Sequence, residues 1–175
     1  MRETAPAKTV GIIGLGAIGR AVALRLQGWQ CDLVYVRSRE APSELEQEIE
    51  INQVSIRDLL QESDIVVLAV PLTKRTKGML GASEFSLMKS SAVLINVGRG
   101  AVVNQGALIT ALKEGEISGA GLDVLEQEPL PPDNPLLHMD NVLIPPHVAD
   151  LAYEAFHARW ETALGNAIKV SKGGK

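Results

Sequence analysis

Six short, largely apolar runs alternate with stretches of helical spacing, and this alternation limits the fold more than any other feature. The runs are Thr9 to Ile13, Leu33 to Val36, Ile65 to Val70, Val93 to Ile95, Ala120 to Val124 and Val142 to Ile144. A strand with one wet face alternates apolar and polar residues, so continuous runs predict strands covered on both faces. Helices are expected over Ile18 to Gln27, Ser55 to Glu62, Ser83 to Lys89 and Asn104 to Lys113, the last ended by Gly115. Ser55 followed by Asp58 is close to a capping box. The repeated β-α-β order predicts an α/β fold, a doubly wound parallel sheet of Rossmann type in three layers, α/β/α. The Pro-rich, acidic stretch Glu126 to Asn141 reads as a loop. The tail from Ala149 to Val170 has helical spacing, with Leu151, Ala155, Leu164 and Ile168 expected to be buried.

A length of 175 residues suits one domain, spanning residues 1–175. Aromatics are only 3% of the chain, so its core must be built from Val, Ile, Leu and Ala. A net charge of -4 leaves no basic footprint and argues against nucleic acid as a partner. No apolar run approaches the roughly 20 residues of a membrane span, and the first residues carry no apolar signal core, so no membrane partner is expected. Cys31 stands alone and can form no intrachain disulfide, which fits a reducing compartment such as the cytoplasm. Three scattered histidines and one cysteine match no metal-ligand spacing, so no metal is expected.

The first run leads into Gly14-Leu15-Gly16-Ala17-Ile18-Gly19 and then a helix. In that context Gly14 permits a tight turn, Gly16 lets backbone approach a pyrophosphate, and Gly19 lets helix and strand pack closely. The helix N-terminus then offers free N–H groups to the phosphates. Dinucleotide contacts are therefore expected at Gly14, Gly16, Ala17, Ile18 and Gly19. A packing turn is the bland alternative. At the end of the second run an acidic residue normally accepts hydrogen bonds from a ribose 2′-OH. Here the chain reads Arg37-Ser38-Arg39. Guanidinium groups bind a 2′-phosphate bidentately where a carboxylate would repel it. This predicts NADP(H), with NAD(H) the weaker possibility. The competing reading makes Arg37 and Arg39 solvated loop charges and leaves the ribose to Glu40 or another residue.

From Val10 to His147 the chain resembles the cofactor domain of the D-2-hydroxyacid dehydrogenases. The resemblance rests on five ordered segments: Val10 to Arg20; Val70-Pro71-Leu72-Thr73 with Thr76-Lys77-Gly78; Leu94 to Gly100, running on to Leu108; Gly121 to Val124 with Glu126-Gln127-Glu128-Pro129; and Pro145-Pro146-His147. It implies that Arg99 binds the carboxylate and keto oxygen of a small 2-keto or 2-hydroxy acid. It implies that His147 is the general acid and base, oriented by Glu128. It places Asp123 near the nicotinamide carboxamide, and Val70, Pro71, Thr76, Val97 and Gly98 along the cofactor. A planar, permanently charged fork suits a keto acid, and imidazole titrates near neutrality. Glu126 competes with Glu128; His138 and His157 are the rivals of His147 and read as surface or packing residues.

The resemblance implies an oxidoreductase acting on substrates such as glyoxylate or hydroxypyruvate, and a homodimer formed through the cofactor domain. Two other readings remain open: a dinucleotide-sensing module like the corepressors that share this fold and motif set, and a cofactor-binding fragment without turnover of its own. Family members carry a separate substrate domain, and most of it is expected to be absent from this chain. After His147, Val148-Ala149-Asp150 places an acid where members commonly have a small residue.

Overall fold

The computed structural model describes residues 8–37, 49–149 and 153–171, with side chains from 160 onward in the last stretch. Seven strands form a single sheet: β1 (Thr9–Ile13), β2 (Asp32–Val36), β3 (Ile51–Gln53), β4 (Ile65–Leu68), β5 (Val93–Asn96), β6 (Gly119–Leu122) and β7 (Val142–Leu143). Their order is β3-β2-β1-β4-β5-β6-β7, and every pairing is parallel. Helices α1 (Ala17–Leu26), α2 (Ile56–Glu62), α3 (Ala82–Phe85) and α4 (Gln105–Glu114) connect them. The expected doubly wound architecture is therefore the observed one. The order reverses between β1 and β4, because β2 and β3 lie on one side of β1 and β4 to β7 on the other.

Strand alternation distributes the aliphatic residues to two cores. Ile13, Val34, Val66, Leu68, Leu94 and Leu122 pack with Leu59 and Leu60 of α2, Phe85 of α3 and Leu108 and Leu112 of α4. Val10, Ile12, Leu33, Tyr35 and Val67 pack with Ala23 of α1 on the opposite face. Burying an aliphatic side chain of this size contributes about 1.5–3 kcal/mol. Tyr35 is fully buried, and its hydroxyl reaches Gln53 Oε1 at 3.1 Å.

Several boundaries differ from the sequence expectation. The short strand β3 was not expected: only Ile51 of its three residues is buried, and it pairs with Leu33 at the sheet edge. The run Ile65 to Val70 leaves the sheet after Leu68, and Ala120 to Val124 leaves it after Leu122. β7 likewise stops at Leu143, one residue short of the apolar run. Helix α3 covers Ala82–Phe85 rather than Ser83 to Lys89, because Leu87 N–H bonds to Glu84 O and Met88 N–H to Phe85 O, closing three-residue turns. The loop Glu126 to Asn141 includes a 3₁₀ turn, Pro135–His138, so His138 ends a helical turn.

The chain divides into two compact units, Met1–Pro145 and Pro146–Lys175. The second contains the helix α5 (Tyr153–Ser171). Leu164 and Ile168 are more than half exposed, contrary to the expectation of burial. Helical spacing gathers apolar residues on one stripe, but it supplies no partner to cover that stripe. Leu151 and the side chain of Ala155 lie outside the described residues, as does the Lys172 to Lys175 end.

Candidate functional site

Strand β1 turns into α1 at Gly14, whose φ is +101°. A Cβ there would lie 2.6 Å from Val70 Cγ1 and 2.7 Å from Ala69 O, so both conformation and space demand glycine. Gly16 faces open space, and Gly19 packs against the carbonyl oxygen of Gly14. Two of the described helices of the sheet unit carry a side-chain cap at their start, and α1 does not. Ser55 caps α2 by accepting from Asp58 N–H at 3.1 Å, and Asn104 caps α4 by accepting from Ala107 N–H at 2.9 Å. At α3 the Glu84 carboxylate accepts from Gly81 N–H at 2.9 Å, and that bond holds its pKa below the usual value. At α1 the N-cap is Gly16, and no side chain caps it. The orphan N–H groups of that first turn, including those of Ala17 and Ile18, are left for an anion.

The turn forms one wall of a cleft of about 650 Å³. Ile13, Leu15, Val36, Ala69, Val70 and Met79 give it an apolar floor. Arg37, at the end of β2, and Pro71, Thr73, Lys74, Arg75 and Thr76, beyond β4, form its rim. Thus Gly14, Gly16, Arg37, Val70, Pro71 and Thr76, singled out separately in the sequence, line one space. Ser38, Arg39 and Glu40 lie outside the described residues. The sequence reading missed Lys74 and Arg75. No periodicity marks a loop cation, and the only cue was their position between Thr73 and Thr76.

Those two threonines lock the rim. Thr76 Oγ1 donates to Pro71 O at 2.6 Å and accepts from Thr73 N–H at 2.8 Å. Thr73 Oγ1 in turn accepts from the N–H groups of Arg75 and Thr76, at 3.3 and 3.2 Å. The Thr73 carbonyl accepts from Thr76 and Lys77 N–H. Thr76 therefore holds the loop's shape as well as lining the cleft.

Farther along the carboxyl edge, β5 ends in the buried Asn96. Its Oδ1 accepts from Gly98 N–H at 3.0 Å and its Nδ2 donates to Arg99 O at 3.2 Å. Asn96 thus fixes the bend that carries Arg99, a positioning role the sequence reading did not assign. A Cβ on Gly98 would lie 2.8 Å from Val70 O, so the loops after β4 and β5 touch through backbone. Val97, between Asn96 and Gly98, is half-buried and its N–H donates to Leu68 O at 3.2 Å. Arg99 is exposed and donates from Nη1 to Gly98 O at 2.7 Å. Gly100 abuts the backbone of Leu125 and Glu126, which brings the Arg99 bend against the loop that holds Glu128. The Glu128 carboxylate accepts from Leu125 N–H at 2.8 Å, so it closes its own loop; Glu126 is exposed with no such bond. Asp123 is buried just past β6, with its N–H donating to Asn96 O. His147 belongs to the second unit, four residues past β7, and has a left-handed φ of +55°. Among the described residues no group of His, Cys, Asp or Glu is placed to hold a metal ion, and no helix is long and apolar enough to cross a membrane.

Residues 1–149 match the NAD binding domain of the D-isomer specific 2-hydroxyacid dehydrogenases. The chain belongs to that family. It is 45% identical over 166 residues to a glyoxylate reductase of Korarchaeum cryptofilum, covering 95% of this chain and 50% of that protein. It is 46% identical over 167 residues to glyoxylate/hydroxypyruvate reductase B of Enterobacter sp., covering 95% and 51%. Among solved structures it is similar to the NAD-complexed D-isomer specific 2-hydroxyacid dehydrogenase of Lactobacillus delbrueckii ssp. bulgaricus, with a TM-score of 0.87, 35% identity and coverage of 96% and 54%. The chain spans about half the length of the curated relatives it matches. The cleft fits the family's dinucleotide: an uncapped helix start for the pyrophosphate, a glycine turn that clears its path, and an apolar floor for a planar ring.

Proposed function

We propose that this domain binds NADP(H) and serves an oxidoreductase that interconverts small 2-keto and 2-hydroxy acids of the glyoxylate and hydroxypyruvate kind. The observation that carries the reading is the cleft at the β1/β4 reversal, with Gly14 and Gly16 on one wall and Arg37 on its rim. Open parallel sheets bind ligands at such reversal points. Arg37 stands where a ribose-binding acid would stand, and no described residue lining the cleft is acidic. A 2′-phosphate, carrying about -1.5 to -2 charges, is favoured by such a rim.

In this reading the bound dinucleotide supplies or accepts the hydride. Arg99 holds the substrate carboxylate and polarises its keto oxygen through the fixed fork of the guanidinium. His147 delivers a proton to that oxygen during reduction and removes it in the reverse direction. We assign to Glu128 the positioning of that imidazole. Asn96 keeps the Arg99 bend in place. Asp123 serves the carboxamide end, and Val97 and Gly98 present backbone to the nicotinamide ribose. The whole enzyme is expected to be a homodimer, which sedimentation would establish.

The test is consumption of NADPH at 340 nm by the whole protein with a panel of 2-keto acids. Turnover that is lost in His147→Ala and Arg99→Ala supports the assignment. Tight NADPH binding with no turnover of any acid would replace the enzyme with a sensor or a carrier of cofactor. Arg37→Asp should reverse the coenzyme preference; an unchanged preference would refute the role of Arg37.

A further inference from the structure

We propose that Lys74 and Arg75 complete the coenzyme-specificity site, gripping the adenosine 2′-phosphate from the side of the cleft opposite Arg37. This rests on the NADP(H) reading above and adds to it two residues on a different strand end. All three cations line the same cleft. Arg37 follows β2 and the pair follows β4, and these strands flank β1 on its two sides. The strand ends are therefore about 10 Å apart, two interstrand spacings of about 4.8 Å. Long basic side chains from both rims can meet on one phosphate held above β1.

Three further observations point the same way. Among the described residues, none of the three side chains has an ion-pair or hydrogen-bonding partner. Lys8 and Lys89, by contrast, both pair with Asp64. The loop bearing Lys74 and Arg75 is also held in shape by its threonines, with hydrogen bonds of 2.6 Å to Pro71 O and 2.8 Å from Thr73 N–H. That locking lowers the entropy lost when the cations engage a ligand. Finally, the pyrophosphate already has the uncapped start of α1, so these side chains exceed what a coenzyme lacking the third phosphate would need.

The experiment is calorimetric titration of the 175-residue chain with adenosine 2′,5′-bisphosphate and with adenosine 5′-phosphate, which differ only in the group at issue. Wild type should bind the bisphosphate more tightly. The variant Lys74→Ala with Arg75→Ala should lose about tenfold or more of its affinity for the bisphosphate, the scale of one or two charge-assisted hydrogen bonds. Its affinity for the monophosphate should stay within about twofold. Lys74→Arg with Arg75→Lys, which keeps both charges, should retain most of the preference. Equal weakening of both ligands would overturn the proposal and assign the cations to the shared 5′ end. Unchanged affinity for both would overturn it as well. Loss of preference in Arg37→Asp but not in the double alanine variant would leave the NADP(H) reading standing and remove this addition. Equal binding of the two probes by wild type would remove both.

Discussion

The side of the cleft at Gly14 and Gly16 is built by leaving side chains out, whereas the rim at Thr73 to Thr76 is built by folding side chains back onto the main chain. At the first, a Cβ on Gly14 would collide with Val70 and Ala69, and the first turn of α1 carries no cap. At the second, two threonine hydroxyls occupy the backbone groups of their own turn. Bare backbone can contact only what every dinucleotide has, its pyrophosphate. A braced loop can hold charged side chains at a chosen place and so distinguish one dinucleotide from another. On the proposed reading, general binding belongs to the glycine turn after β1 and coenzyme choice to the cations that follow β2 and β4 on either side of it.

The comparison breaks most readily at Gly14. Gly14→Ala forces a left-handed φ on an alanine and drives its methyl into Val70 Cγ1 and Ala69 O, 2.6 and 2.7 Å from the Cβ position. Strain and overpacking together should cost about 3 kcal/mol, a fall in melting temperature of about 10 °C for a chain this size. Both NADPH and NADH binding should be lost together, as a titration near the variant's temperature of best stability would show.

Thr76→Val is the milder break. It removes the bond to Pro71 O and the acceptor for Thr73 N–H. Losing two such bonds should loosen the loop by about 1–2 kcal/mol. Amide exchange of residues 73–77 should quicken, and NADPH affinity should fall about three- to tenfold. NADH affinity and the melting temperature should change less. If both coenzymes weakened equally, the division of labour between the rims would be wrong.

The smallest effect sharpens the contrast from outside the cleft. Asp64, just before β4, accepts from Thr9 N–H at 3.0 Å and pairs with Lys8 and Lys89. The Thr9 amide chiefly, and then the two lysines, hold its pKa at about 2. A carboxylate with a depressed folded-state pKa adds stability above its ordinary value and loses it as pH falls through the folded one. Between pH of about 4 and 2 the chain should therefore lose about 1–2 kcal/mol on this account, with solvent screening allowed for. Asp64→Asn should remove that increment at neutral pH and leave affinity for both coenzymes unchanged.

What was legible in the sequence follows the same physical lines. The glycine turn was readable because only glycine meets its demands, and Ser55 with Asp58 marked the start of α2 because a cap needs that spacing. The apolar runs located six strands but overshot the ends of three. Ala69 and Val70 line the cleft and Val124 is buried beyond the sheet, so apolar character persists after ladder pairing stops. β3 escaped notice because an edge strand with one buried residue has no apolar run to show. Lys74 and Arg75 escaped because their importance lies in the fold of a six-residue loop and the strand order that sets it opposite Arg37. Neither is written in local spacing. Arg99 and Glu128 were singled out through resemblance alone, and the structure adds the Asn96 and Leu125 contacts that hold their loops.

The most direct measurement of the central claim is an amide ¹H–¹⁵N titration of the labelled chain with NADPH. The account predicts saturable shifts concentrated in Gly14 to Gly19 and in Thr73 to Thr76, with the amino end of β4 around Asp64 unmoved. Saturation without shifts in those two segments, or no shifts at any concentration by a folded sample, would contradict it.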